Sequence, residues 1–353
     1  MALNRKLKNN DFDFRGVWFP DKLSLENFEF TTKADFRSAT FSAMADFRSA
    51  TFSTEANFGS ATFSAESDFS SAAFSAKTSF RAATFSAEAD FSGTTFSTQA
   101  GFGEATFADY VRFAGAKDHQ VFTDTSQLDL QFARIEKPDR LSFHTLSLRP
   151  HWFVNIDASK FGFANVNWGR PRINEETSRL ERNDTPSPHH LLAIACRNLA
   201  VNAEENQRYE EASKFRYLAM EARRRESWRG FAPWRLSWWY WLASGYGERL
   251  LQAFVVLMVL LFLFGGMYTR VGFARWEPKV ATEADAVFAQ RDEVGAPLPF
   301  KRALTYSLGV MMLQKPEPRP ATPLAQGLVI LETILGPVQA ALLALAIRRK
   351  FMR

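Results

Sequence analysis

Phenylalanine recurs with a rhythm that neither a helix nor an isolated strand requires. It stands at Phe36, Phe41, Phe47, Phe52, Phe58, Phe63, Phe69, Phe74, Phe80, Phe85, Phe91, Phe96, Phe102, Phe107 and Phe113, in steps that alternate between five and six residues. The same count runs backwards through Phe30, Leu25, Phe19 and Phe14. Two residues before each rung sits a small or apolar side chain, as at Ala34, Ala39, Ala45, Ala50, Ala56, Ala61, Ser67 and Ala72. A helix brings back one face every 3.6 residues and a strand every two. A fixed longer period marks a solenoid, whose units stack and bury a shared column. An apolar pair followed by a polar corner describes a very short strand and a turn. Four such sides make a coil of 22 residues, and successive coils rise by ~4.8 Å. The rings fill the interior, and no polar group there is large enough to hold a cofactor, so none is expected.

The units "ADFRS", "ATFSA", "ANFGS" and "AAFSA" resemble the pentapeptide-repeat family. That resemblance implies a right-handed quadrilateral β-helix used for binding or spacing. It is strong over residues 12–115 and weak over 120–169, where Leu141 and Phe143, Ile156 and Ala158, and Phe161 and Phe163 keep apolar pairs without the strict count. The β-helical domain is therefore read as 12–169. The sixth residue in every second unit departs from the family and is expected to bulge alternate corners. Some members of the family imitate duplex DNA with an acidic rod. Residues 31–117 hold nine acidic and seven basic side chains, too balanced to mimic a phosphate array. The whole chain carries only +5, so no nucleic-acid partner is inferred.

Residues 170–188 are polar and proline-bearing and read as a linker. Residues 189–229 read as a cytosolic helical hairpin. Leu192, Ala195 and Leu199 share one face, and Tyr209, Ala212, Phe215, Ala219 and Ala222 another. "NAEENQRYEEASKF" resembles the middle of a tetratricopeptide hairpin, with Asn206 at its turn. His189 and His190 read as exposed helix-start residues. Cys196, the only cysteine, excludes an intrachain disulfide and a thiolate cluster and reads as a small buried hydrophobe. No apolar run follows the basic start of the chain, which is not that of a signal peptide. The chain has no nucleotide-binding glycine loop, metal-spaced His/Cys cluster or paired carboxylates on one face. Catalytic residues, cofactor and metal are accordingly not assigned.

The remainder belongs to a bilayer. Residues 230–247 carry Trp234, Trp238, Trp239, Trp241 and Tyr246, an aromatic cluster suited to headgroup level. Residues 248–353 hold two spans, about 249–269 and 323–347, each long enough to cross a hydrocarbon core of ~30 Å. Arg223, Arg224, Arg225, Arg229 and Arg235 precede the first span, and Arg348, Arg349, Lys350 and Arg353 follow the second. Residues 270–299 between them hold four basic and five acidic side chains. Positive charge at both ends puts both termini in the cytoplasm, in a multi-pass protein of the plasma (bacterial inner) membrane.

Between the spans, 300–313 is an apolar amphipathic run too short to cross, and it reads as a re-entrant helix. "ALTYSLGVMM" followed by "ATPLAQGLVILETILG" resembles the pore helix and inner helix of two-transmembrane potassium channels, around Thr322, Pro323, Leu324, Leu331, Glu332 and Gly336. The resemblance implies a homotetramer, a hinge at Gly336 that Pro337 would sharpen, and a filter-like loop at Gln314, Lys315, Pro316, Glu317, Pro318 and Arg319. That loop lacks the glycines a potassium filter needs, and its prolines fix φ against the required backbone path. Lys315, Glu317 and Arg319 sum to one positive charge per subunit, a ring of about +4 in a tetramer that disfavours cations. An acid inside a span needs a partner. For Glu332 the sequence offers Lys301, Arg302 or a water-filled conduit. Two functions follow as expectations. The first is an oligomeric pore that is not potassium-selective, with a β-helical sensing or scaffolding domain. The second is a non-conducting, channel-derived anchor that presents β-helical rods to an unidentified cytosolic protein.

Overall fold

The computed structural model describes residues 2–115, 120–123, 125–182, 185–226, 236–274 and 297–351. Arg229, Trp234, Arg235, Arg353, His119 and most of the 270–299 segment lie outside the described residues. The chain divides into two compact units, Met1–Ser227 and Trp228–Arg353.

The first unit is a β-solenoid. Two-residue strands pair in parallel with strands one coil away, and the register advances by 22 residues: Trp18 opposes Thr40, Thr40 opposes Thr62, and Thr62 opposes Thr84. Four sheets of six, seven, four and five strands form the sides. All fifteen phenylalanines of the ladder are buried, as are the alanines two residues before them. The rings stack in four columns, one per side. Phe36, Phe58, Phe80 and Phe102 follow one another at 4.8 Å between centroids, which is the coil rise read in side chains.

The five-residue and six-residue steps close by different means. In the shorter step the turn is tight. Ala50 N–H donates to the Phe47 carbonyl at 3.1 Å, and Ser49 between them has φ 55°. The equivalent corners Ser38, Ser60, Ser71 and Ala82 are left-handed as well, at a cost of roughly 1–2 kcal/mol each for an L-residue. A local carboxylate or amide helps. Asp46, Asn57, Asp68 and Asp90 each accept from the backbone N–H two residues on, at 3.3, 2.9, 2.9 and 2.8 Å. This is the Asx-turn contact, and it explains why Asp or Asn recurs just before Phe. In the longer step the sixth residue supplies the extra chain, so no left-handed residue is needed between Phe52 and Phe58.

Beyond Phe113 the period breaks but the pairing persists. Thr106 opposes Arg134 and Val111 opposes Leu141, and then Ser142 opposes Gly162. The coil thus lengthens to 28 and 30 residues and contracts to 20. A 3-10 turn at Pro138–Arg140 takes up part of the longer path.

Helices close the solenoid at both ends. At the start, α1 (Ala2–Lys8) lays Leu3 and Leu7 against the phenylalanine core. At the far end, α2 (Ile173–Arg182), α3 (Pro188–Glu205) and α4 (Tyr209–Arg225) pack on the last coil. Reading 170–188 as a linker is therefore corrected. Ile173, Glu176, Thr177 and Leu180 of α2 are buried, because the polar sequence hides one inward stripe at helical spacing. Glu176 takes a 2.6 Å contact with His151 Nδ1 and a 3.1 Å bond from the His151 backbone N–H. The hairpin turns at Asn206–Arg208 and is continuous with the rod: Leu199, Ala203, Ala212 and Phe215 join the solenoid core. Asn202 Nδ2 donates to the carbonyls of Ala158, Ser159 and Phe161 at 3.2, 3.0 and 2.7 Å, which satisfies the open end of the coil. Cys196 is buried, and burial pushes its thiol above the ordinary range. His190 is exposed beside Glu226.

The second unit is helical. It comprises α5 (Leu236–Ser244), α6 (Leu250–Tyr268), α7 (Phe300–Met311) and α8 (Pro323–Phe351). Of these, α6 and α8 are long and apolar enough to cross a membrane.

Candidate functional site

The charge-bearing centre of the helical unit is Glu332, fully buried on α8. Its two oxygens are taken separately. Tyr268 Oη, from the last turn of α6, donates to Oε2 at 2.5 Å, and Ser307 Oγ, from α7, donates to Oε1. Neither Lys301 nor Arg302 is the partner. Both stand in the first turn of α7 and are exposed, whereas Ser307 is on its buried stripe with Ala303, Tyr306 and Val310. One carboxylate thus ties three helices with two hydroxyls. An acid held in apolar surroundings requires such donors, because each lone pair left unmet is costly there. No sequence signal pairs Tyr268 with a residue 64 positions away.

Two glycines permit that approach. A Cβ on Gly265 would lie 2.7 Å from Leu304 Cδ2, and one on Gly336 would lie 2.8 Å from Met311 Cγ and 3.0 Å from its Cα. Each span therefore offers a bare backbone patch to one side of α7. Helix α8 runs through Gly336 and Pro337 without interruption, so at Gly336 the absent side chain serves a packing contact. Around this junction Phe264, Tyr268, Phe273, Tyr306 and Val310 form the unit's apolar core.

The loop after α7 folds back. Leu313 is left-handed with φ 58°, Gln314 N–H donates to the Gly309 carbonyl at 2.9 Å, and Pro316 packs on Gly309. Further on, Ala274 N–H donates to the Arg319 carbonyl at 2.8 Å. Gln314, Lys315, Glu317 and Arg319 are exposed, and Pro316 and Pro318 are half-buried.

A second polar junction fixes α5. The last-turn carbonyls of a helix have no partner within it. Here Gln252 of α6 donates to those of Trp241 and Leu242 at 2.7 and 2.9 Å. Gln339 of α8 donates to the Ala243 carbonyl at the end of α5 and to the Ala253 carbonyl near the start of α6, both at 2.8 Å. Arg349 Nη1 reaches the Tyr246 carbonyl at 3.0 Å and Glu248 at 2.9 Å. Sequence reading passed over both glutamines. A lone amide in an apolar run is the signal that marks them, since it must find a partner.

The cationic stretch before the first span is partly spoken for. Arg224 is buried and pairs with Glu221 at 2.7 Å, and Arg225 pairs with the same carboxylate at 2.8 Å. Those two charges serve α4 before they serve a membrane surface.

Residues 25–73 match a family model described as pentapeptide repeats (9 copies). No curated protein and no solved structure matches the chain. The N-terminal domain is thus a pentapeptide-repeat β-solenoid, joined to a region with two membrane-length helices. Pentapeptide repeats are a structural, non-catalytic family. Among the described residues no group of three or more His, Cys, Asp or Glu could hold a metal ion.

Proposed function

We propose that the chain is a membrane-anchored β-solenoid that displays its rod to a protein partner. The observation that carries this reading is the Glu332 junction. Its carboxylate is consumed within one subunit by Tyr268 and Ser307, which suits a rigid anchor better than a charge left free for ions. Positive residues flanking both spans favour a cytosolic rod and cytosolic termini in the plasma membrane. Reconstitution into planar bilayers tests the reading: an anchor carries no unitary current under any ionic gradient, whereas discrete conductance steps would overturn it.

A pore is the second reading, and one observation favours it. Helix α7, only 12 residues long, packs against both membrane-length helices and is followed by a folded-back loop. A two-span subunit cannot enclose a conduit alone, so this reading requires a closed ring, a homotetramer by the channel resemblance. With Lys315, Glu317 and Arg319 at its mouth it would discriminate poorly between potassium and sodium. Mass measurement in nanodiscs separates the readings further, since a monomer removes the pore.

A further inference from the structure

The four sides of the rod do not offer the same chemistry. The sheet that begins at Trp18–Phe19 and ends at Arg134–Ile135 turns Trp18, Thr40, Thr62, Thr84, Thr106 and Arg134 outward in register. Four consecutive coils therefore carry no charge on this face, and exposed Ser42, Ser64 and Ser86 extend it sideways. Two other sides carry acids, Asp35 on one and Asp46, Asp68 and Asp90 on the other, with Arg37 and Arg48 paired to them. The remaining side is also largely neutral, with Thr51, Ala73 and Thr95 outward, but no exposed aromatic borders it.

The large hydrophobic side chains exposed on the solenoid, among the described residues, are Trp18, Tyr110 and Phe132, at 65, 50 and 65%. All three border the threonine-faced sheet. Trp18 lies on its first strand and turns its indole N–H to Ser42 Oγ at 2.7 Å, so that the ring rests along the face. Phe132 is the corner leading into the last strand. It is left-handed with φ 60°, at a position where the regular coils place Ser, Ala, Gly or Glu. A bulky side chain is strained there and gains no burial in return. Tyr110 stands at the opposite corner with the Arg140 guanidinium 4.3 Å from its ring centroid.

We propose that this face is a docking surface for an uncharged protein surface that presents apolar side chains to Trp18 at one end and to Phe132 and Tyr110 at the other. The proposal rests on the reading of the rod as a displayed scaffold. Charge selects the partner: a charged surface would lose its hydration against the four uncharged coils between Trp18 and Arg134, which offer it no counter-charge. Size selects the type of complex. Six strands at ~4.8 Å spacing span ~24 Å, and a face that long and one strand wide falls well below the ~800 Å² per partner of a standard interface. A stable pair of rods joined through it is therefore disfavoured, and a transient partner anchored by aromatic residues fits.

The test uses the full chain in its native membrane, with a photo-crosslinking phenylalanine analogue at Thr62 or, on the adjoining acidic side, at Asp68. Position 62 is expected to give a discrete cross-link to another protein. The yield should fall more than tenfold with W18A and F132A together, and change less than twofold between low and high salt. A band equally strong from position 68, a band with the mass of two copies of this chain, insensitivity to the aromatic substitutions, or steep loss in salt would each overturn the proposal. Cross-links only from position 68 would sink this face and leave the displayed rod standing. Absence of cross-links from both positions would sink the two together.

Discussion

The rod keeps its large side chains inside, and the helical unit turns many of its own outward. Phe36, Phe58 and Phe80 are fully buried, while Leu251, Phe254, Val259 and Phe262 of α6 and Leu324, Ile330 and Val338 of α8 are exposed. The difference follows from the solvent each unit is built for. In water, removing apolar area supplies the cohesion, about 25 cal/mol per Å², so one side-chain type repeated along a column suffices. In lipid the tails are as apolar as leucine, and helices must cohere by close backbone approach and interhelical hydrogen bonds. Gly265, Gly336, Glu332 and Gln339 supply those contacts here. Repetition makes the rod, and a handful of unique residues makes the helical unit.

Substitutions should separate the two regimes. The largest effect is expected in the rod: Phe63→Ala removes one ring from a stacked column and should cost about 3–5 kcal/mol, read in denaturant melts of the nanodisc-embedded chain by far-UV circular dichroism. Next come the junction residues. Gly336→Ala drives a methyl into the Met311 backbone and should cost about 1–3 kcal/mol. Gly265→Ala meets only the mobile end of Leu304 and should cost less. An equal cost at both glycines would mean that close approach is not what joins the spans. Glu332→Ala strands two buried hydroxyls, at about 1–3 kcal/mol. Glu332→Gln keeps one acceptor oxygen and replaces the other with an amide NH2, and it should cost less than Glu332→Ala. Thermal unfolding of the solubilised helical unit within the full chain measures both. Smaller still, Gln339→Leu should cost about 0.6 kcal/mol, the average for a hydrogen bond between helices in a membrane, detected as faster proton exchange at the end of α5.

The smallest effect is a pH dependence confined to the rod. The Arg48 guanidinium hydrogen-bonded to Asp46 holds that carboxyl below its usual range. A depressed carboxylate stabilises the fold at every pH above its unfolded value of about 3.9 and loses that contribution as pH falls through the folded value. The rod's melting temperature should therefore be flat from neutral pH to about pH 5 and decline below about pH 4. Asp46→Asn should soften that decline.

How much of this could be read beforehand follows the same division. The solenoid was legible because the period of Phe36, Phe41 and Phe47 is local, and each coil repeats the constraint of the last. The role of Asp46 and Asn57 was not, because a residue that closes its own turn looks like any other polar surface residue. Helix α2 was hidden by the charges around Ile173 and Leu180. In the helical unit, the lengths of α6 and α8 were evident from composition. The contacts that join them were not, since Tyr268, Ser307 and Glu332 meet only once three distant helices pack. Opposite charge points to Lys301 and Arg302 as partners of Glu332, but two hydroxyls take that place.

The 22-residue register gives the rod a property that no compact globular domain shares. Each coil of a solenoid contacts only its neighbours, and the caps, Leu3 and Leu7 at one limit and Asn202 at the other, pack against the core from the two ends. Whole coils are therefore interchangeable parts. Removing one shortens the rod by a single strand spacing, ~4.8 Å, and leaves both caps and all four faces in phase. Within the regular ladder, a deletion that is not a whole number of coils shifts every later Phe out of its column. Reach is thus quantised, and the molecule carries its own ruler.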